Sequence, residues 1–219
     1  MIDFQERDRK RGLGSDDTDG DEQDEQSGHD ESHEHTDKGG EQTDHDHAEH
    51  DHTDHDHHAH DVETLGVAVL TISSTRTLKD DPAGDVIAAA LETAGHEIAT
   101  REVIRDNYDN VQAAVDAVVG RGDVDTVVTT GGTGVTPDDV TIEAARPLFE
   151  KELPGFGELF RRLSYEEIGT KVVGTRATAG IADGVPVFCL PGSENAARLG
   201  TEEILVGEVG HLAGLATRE

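Results

Sequence analysis

The chain has 219 residues, with 48 Asp and Glu against 18 Lys and Arg, and a net charge of −30. An excess of this size repels nucleic acid and anionic membrane surfaces, so neither is expected as a partner. No run of 18 apolar residues occurs, and Met1-Ile2-Asp3-Phe4-Gln5-Glu6-Arg7 lacks an apolar export stretch, which predicts a soluble, cytoplasmic protein.

The charge is unevenly spread: residues 1–63 hold 5 basic and 23 acidic side chains, residues 64–219 hold 13 and 25. Between Ser15 and His60 branched and aromatic residues are almost absent. This acidic His/Asp-rich N-terminal tail therefore cannot bury enough apolar surface to offset chain entropy, and residues 1–63 are expected to be disordered. Eleven of the thirteen histidines lie between His29 and His60, many alternating with aspartate, as in Asp44-His45-Asp46-His47. Imidazole beside carboxylate binds Zn²⁺, Ni²⁺ or Cu²⁺ without fixed geometry, but no defined ligand spacing occurs. The tail reads as a solvating spacer, with a metal buffer as the alternative.

Residues 64–219 are long enough for one core and alternate strands with amphipathic segments. Leu65–Ile72 is apolar and β-branched, as a buried parallel strand requires. Asp81 and Pro82 start a helix as N-cap and first residue, and Gly95 ends it. A strand follows near Glu97–Ile104. Asp109 is a candidate cap for the next helix, in which Val111, Ala114, Val115 and Val118 share one face. Val124–Thr129 is the strand before a glycine-rich turn, Ile142 to Leu148 a short helix bent or ended by Pro147, and Gly155–Ile168 an amphipathic helix. Thr178–Gly180 and Pro186–Leu190 flank the hairpin signal Asp183-Gly184, and Ser193 caps a closing helix from Glu194 to about Leu215. Cys189, the single cysteine, stands in Val187-Phe188-Cys189-Leu190 and reads as a small core residue.

The alternation predicts an α/β three-layer sandwich, a mostly parallel central sheet with helices on both faces. Ligands of such sheets collect beyond the carboxyl ends of the strands. Ser73-Ser74-Thr75-Arg76, Asp106, Gly131 to Asp139 and Pro191-Gly192-Ser193 all fall at that predicted edge. In Gly131-Gly132-Thr133-Gly134, three glycines within four residues leave backbone N–H groups bare enough to close around phosphate oxygens. Asp138 and Asp139 then bring carboxylates to where a phosphate-bound Mg²⁺ sits. Neither the P-loop nor the dinucleotide fingerprint is present. The turn has a plainer reading as a change of direction, and Thr136-x-x-Asp139 with Pro137 also reads as a capping box. Asp106 alone reads as an Asx turn at a strand end.

Thr129-Thr130-Gly131-Gly132-Thr133-Gly134 with Asp139-Val140-Thr141, then Leu153-Pro154-Gly155-Phe156-Gly157-Glu158, then Leu190-Pro191-Gly192-Ser193, together resemble the molybdopterin adenylyltransferase family of molybdenum and tungsten cofactor biosynthesis. The resemblance runs from about Leu65 to Leu215. It implies that molybdopterin's terminal phosphate attacks the α-phosphorus of ATP, with Mg²⁺, giving adenylylated molybdopterin and pyrophosphate. It assigns Asp139 to Mg²⁺ and catalysis, Asp106 to catalysis, Gly131, Gly132, Thr133 and Gly134 to phosphate, and Pro191, Gly192 and Ser193 to the nucleotide or pterin pocket. Asp81 and Gly84 look like the family's Asp-x-x-Gly helix start. The loop after the first strand reads Ser73-Ser74-Thr75-Arg76 where relatives have Ser-Asp-Arg or Ser-Asn-Arg, a departure that bears on Ser73 and Arg76 as ligand contacts. Arg76 and Arg176 are the basic candidates for ligand phosphate, and a solvated surface arginine is the alternative for each. The family also implies a symmetric homo-oligomer, a trimer or hexamer, and a downstream molybdate- or tungstate-inserting partner. A non-catalytic molybdopterin-binding scaffold is the second reading.

The acidic excess suits a salt-rich interior, because a Debye length of about 3 Å at 1 M salt mutes self-repulsion. Circular dichroism is expected to show a sharp loss of helicity as salt falls below the molar range. Full stability in dilute buffer would contradict this.

Overall fold

The computed structural model describes residues 61–218. The expectations for the tail up to His60, its disorder and its metal binding, lie outside the described residues. Asp61 and Val62 are already attached to the domain: the Asp61 carboxylate lies 2.9 Å from His211 Nδ1, and Val62 N donates to the Gly210 carbonyl at 3.2 Å.

Six strands, β1 (Gly66–Ile72), β2 (Glu97–Ile104), β3 (Thr126–Thr130), β4 (Lys151–Glu152), β5 (Thr178–Ala182) and β6 (Val185–Leu190), form one sheet in the order β2-β1-β3-β6-β5-β4. The first four in that order are parallel, and β5 runs antiparallel to both its neighbours, β6 and β4. Side-chain alternation along β1 divides the core. Val67 and Val69 face α1 (Pro82–Thr93), α4 (Pro154–Ile168), α5 (Glu194–Gly200) and α6 (Val206–Ala216); Ala68, Leu70 and Ile72 face α2 (Tyr108–Val119) and α3 (Thr141–Ala145). This is the three-layer sandwich expected from the sequence, with β1 and β3 buried on both sides. α5 and α6 are joined through a π-turn, Thr201–Leu205.

Local chemistry accounts for most boundaries. Asp183 and Gly184 both take positive φ, 50° and 74°, the condition for the tight hairpin turn between β5 and β6. Pro147 converts the end of α3 into a 3-10 turn, Arg146–Leu148. Two expected caps change. Asn107, not Asp109, caps α2, because its side-chain oxygen accepts from the N–H groups of both Asp109 and Asn110. Thr136 and Pro137 start no helix; the chain makes a turn there and α3 begins at Thr141.

Asp81 is fully buried and holds three elements together. Its Oδ1 accepts the Gly84 N–H that starts α1, while Oδ2 accepts from Thr71 Oγ1 of β1 at 2.7 Å and from Arg101 Nη2 of β2 at 3.2 Å. A Cβ at residue 84 would lie 2.1 Å from that carboxylate, which explains Asp-x-x-Gly as a packing requirement. Cys189 is buried, and burial pushes its thiol up to about 11, so it is an inert filler. Among the described residues no helix is long and apolar enough to cross a membrane.

Replacing Asp81 with Ala removes the cap, leaves the buried Thr71 hydroxyl without its acceptor and leaves Arg101 only its Asp85 partner, so urea denaturation at fixed salt is expected to show a loss of about 2–4 kcal/mol. A loss below about 0.5 kcal/mol, the range of an ordinary surface substitution, would contradict this role.

Candidate functional site

The sheet order puts β1 between β2 and β3, so the chain leaves β1 toward one edge and returns on its other side. The crevice outside the carboxyl ends of β1 and β3 is therefore a topological switch point. A cleft of about 350 Å³ lies there. The end of β1 supplies Thr71, Ile72, Ser73 and Arg76; the end of β3 supplies Thr130 and Gly131 to Gly134; Asp139 closes one side and Pro191-Gly192, after β6, another.

The glycine turn is held in this shape by backbone contacts that leave no room for side chains. Gly131 and Gly132 take φ of +100° and +63°, and a Cβ on them would lie 2.3 Å from the Ile72 carbonyl oxygen and from Thr141 Oγ1, respectively. Gly131 N donates to the Leu190 carbonyl at 3.0 Å, tying the turn to β6. The buried Thr141 anchors it from α3, its Oγ1 donating to the Gly131 carbonyl at 2.8 Å and its N–H to the Gly132 carbonyl at 3.0 Å.

Arg176 closes the other half. Its Nε donates to the Thr133 carbonyl at 3.2 Å and its Nη2 to the Asp139 carbonyl at 3.1 Å, while Glu143 takes the guanidinium in a two-oxygen pair. Arg176 therefore clamps the loop through its carbonyls. Four of its five N–H donors are committed to the protein, so it serves the loop ahead of any ligand phosphate.

Asp139 Oδ2 accepts from Thr136 N at 2.8 Å and Thr136 Oγ1 at 2.6 Å. Burial pushes this carboxyl up, but the Thr136 and Gly134 donors and the Arg176 charge outweigh it, so it lies below the ordinary carboxylate range and is ionised at neutral pH. Asp106, at the end of β2, stands beside the cleft rather than in its wall. Its Oδ2 accepts from Ser74 N at 3.1 Å, in the loop that carries Ser73, while Oδ1 is buried with no hydrogen-bond partner. An orphaned carboxylate oxygen at a ligand edge is the kind of acceptor that a site keeps for an incoming group. Among the described residues no three His, Cys, Asp or Glu side chains converge. Mg²⁺ carried on substrate phosphates asks for only one or two carboxylates, and Asp139, in the cleft wall, fits that demand.

Residues 68–211 match the family described as a probable molybdopterin binding domain. The chain belongs to this family. The molybdenum cofactor biosynthesis protein B of Bacillus subtilis is 46% identical to this molybdopterin-binding domain over 145 residues, 66% of this chain and 85% of that protein. Its counterpart in Halalkalibacterium halodurans is 41% identical over 151 residues, 68% of this chain and 89% of that protein. The crystal structure of the tungsten cofactor synthesizing protein MoaB from Pyrococcus furiosus superposes with a TM-score of 0.65 at 41% identity, covering 72% of this chain and 99% of that one.

Of the residues singled out in the sequence, the cleft of the molybdopterin-binding domain brings together Ser73, Arg76, the four-residue turn from Gly131 to Gly134, Asp139, Pro191 and Gly192. Ser193 falls outside it, because its Oγ accepts from Ala196 N and caps α5. Sequence reasoning missed Gly174 and Thr175 in the cleft wall and the anchoring role of Thr141. Thr141 was visible within Asp139-Val140-Thr141; nothing local marks residues 174 and 175. A larger, mostly apolar groove of about 670 Å³ runs between α1 and the C-terminal helices, but its one arginine, Arg198, is paired with Glu194 and Glu202.

Replacing Arg176 with Ala is expected to lower hydrogen-exchange protection of the Asp139 and Thr141 amides by about tenfold or more while leaving β1 unchanged, with Lys failing to restore it because it lacks the fork. Unaltered protection in the turn would show that the clamp is idle.

Proposed function

We propose that this domain works in molybdenum or tungsten cofactor biosynthesis and adenylylates molybdopterin with ATP. The single observation that carries the reading is the pairing of a bare-amide turn at the β1/β3 switch point with Asp139 in its wall and Asp106, holding an unpartnered oxygen, beside it. The names of the relatives support the pathway; the site chemistry supports the reaction.

Two anionic reactants must meet here. An oxygen of molybdopterin's terminal phosphate bonds to the α-phosphorus of ATP, the bond from that phosphorus to the β-phosphate bridging oxygen breaks, and pyrophosphate leaves with the electron pair. The turn from Gly131 to Gly134 is assigned to the triphosphate, with the N–H dipoles of Gly132 and Thr133 facing charge that develops on the phosphoryl oxygens while the Gly131 N–H stays on the Leu190 carbonyl. Arg76 adds the one cationic side chain of the cleft. Asp139, in the cleft wall, is the residue that would hold Mg²⁺, which supplies charge neutralisation on the phosphates. Asp106 is assigned a separate role, in which its carboxylate takes the proton from the attacking phosphate when that phosphate arrives as a monoanion. The reading carries with it a symmetric homo-oligomer, a trimer or hexamer, and hand-over of product to a molybdate- or tungstate-inserting enzyme.

The assay is pyrophosphate release from purified protein, ATP, Mg²⁺ and molybdopterin. Asp106→Ala and Asp139→Ala are each expected to lower kcat/KM by on the order of 10²–10⁴ with the fold retained by circular dichroism. Molybdopterin bound without pyrophosphate release by the unaltered chain would replace the enzyme with a scaffold.

A further inference from the structure

A second cleft, of about 390 Å³, adjoins the glycine cleft, and the two share Thr175 as a wall. Three arginines line it, Arg146, Arg161 and Arg176, with Glu152 as its one acidic residue. In residues 64–219, where 25 acidic side chains oppose 13 basic ones, such a concentration of positive charge runs against the composition. Arg146 is matched by Glu152 at 3.0 Å, and Arg176 by Glu143. Arg161 has no acidic partner among the described residues. Its only hydrogen bond among them runs from Nη1 to the Ala177 carbonyl at 3.5 Å, the limit of such a contact, so most of its five N–H donors are free.

The chain makes room for this side chain. Arg161 lies one helical turn beyond Gly157 on α4, and a Cβ at residue 157 would come within 3.0 Å of Arg161 Nη1 and 2.6 Å of the Ala177 carbonyl oxygen. The second glycine of Leu153-Pro154-Gly155-Phe156-Gly157-Glu158 thus lets the guanidinium lie back along α4 into the cleft. Phe156 of the same motif is buried against Phe160 and Phe188 and fixes the helix on the sheet.

We propose that this arginine cleft is a phosphate subsite, separate from the glycine turn, with Arg161 as its binding residue, and that it takes the phosphate monoester of the pterin substrate rather than the triphosphate of the nucleotide. The inference rests on the proposed adenylylation for the identity of the two phosphate sources. A planar, half-buried guanidinium with free donors suits a phosphate dianion held by two parallel hydrogen bonds. The shared Thr175 wall puts that anion next to the cleft assigned to ATP, as transfer between two phosphates requires.

The test is equilibrium binding of molybdopterin to the full chain without nucleotide, followed by pterin fluorescence, with ATP binding measured separately. Arg161→Gln is expected to weaken molybdopterin about tenfold or more and leave ATP unchanged, while Arg161→Lys, keeping the charge without the fork, weakens it only a few-fold. Equal molybdopterin binding by Arg161→Gln and the unaltered chain would overturn the subsite, as would a loss confined to ATP. Lack of binding by the unaltered chain would overturn it together with adenylylation. Because this readout needs no turnover, absent pyrophosphate release would count against adenylylation alone.

Discussion

The site depends on backbone meeting backbone where three parallel strands end. The Gly131-Gly132 turn passes so close to the end of β1 and to Thr141 that neither residue tolerates a side chain, and the Leu190 carbonyl of β6 receives the Gly131 N–H. That close approach is what exposes peptide amides at the crevice instead of covering them. A turn of this kind cannot be stabilised by its own packing, because it has almost no side-chain surface to bury. Its order must come from outside, from Thr141 beneath it and Arg176 beside it.

This arrangement also resolves an electrostatic difficulty. A strongly acidic chain is proposed to bind two polyanionic reactants, and its few arginines are mostly matched to carboxylates, as Arg101 is to Asp81 and Asp85 and Arg121 is to Asp123. Fixed amide dipoles bring positive potential without net charge. The cationic side chains without an acidic partner among the described residues that line the two adjoining clefts, Arg76 on one and Arg161 on the other, are then local additions to a dipolar site. The charge of Arg176 is spent on Glu143, whose carboxyl it holds below the ordinary range. Its contribution to the loop is mainly mechanical: it fixes the carbonyls of residues 133 and 139 and so sets where the Asp139 carboxylate stands.

Much of this was legible in the residues. Apolar runs bounded by glycine and proline placed β1, β2, β6 and the helices to within a few positions, because strand burial and helix termini are written in local chemistry. The carboxyl-edge rule then collected Ser73, Gly131 and Pro191 into one place before any contact was known. The errors share a cause: competition between neighbours with the same chemistry. Asp109 and Asn107 can each cap α2, and only the path of the chain out of β2 selects Asn107. Thr136 and Asp139 do bond as a capping pair, yet the helix is displaced to Thr141 because the turn must first reach Arg176. Ser193 was counted with Pro191 and Gly192, but its hydroxyl accepts from the helix that follows and it lies outside the cleft lining. The sequence singled out Arg176 and passed over Arg161, since one is matched and the other is not only through residues distant along the chain.

On this reading the amides of Gly132 and Thr133, with Asp139, receive a magnesium triphosphate at the β1/β3 edge. A crystal structure of the chain grown with Mg²⁺ and a non-hydrolysable ATP analogue decides the matter. Phosphate oxygens within hydrogen-bond distance of those amides, and a cation on the Asp139 carboxylate, are the expected result. A nucleotide seated in the groove along α1, with the glycine turn untouched, would contradict it.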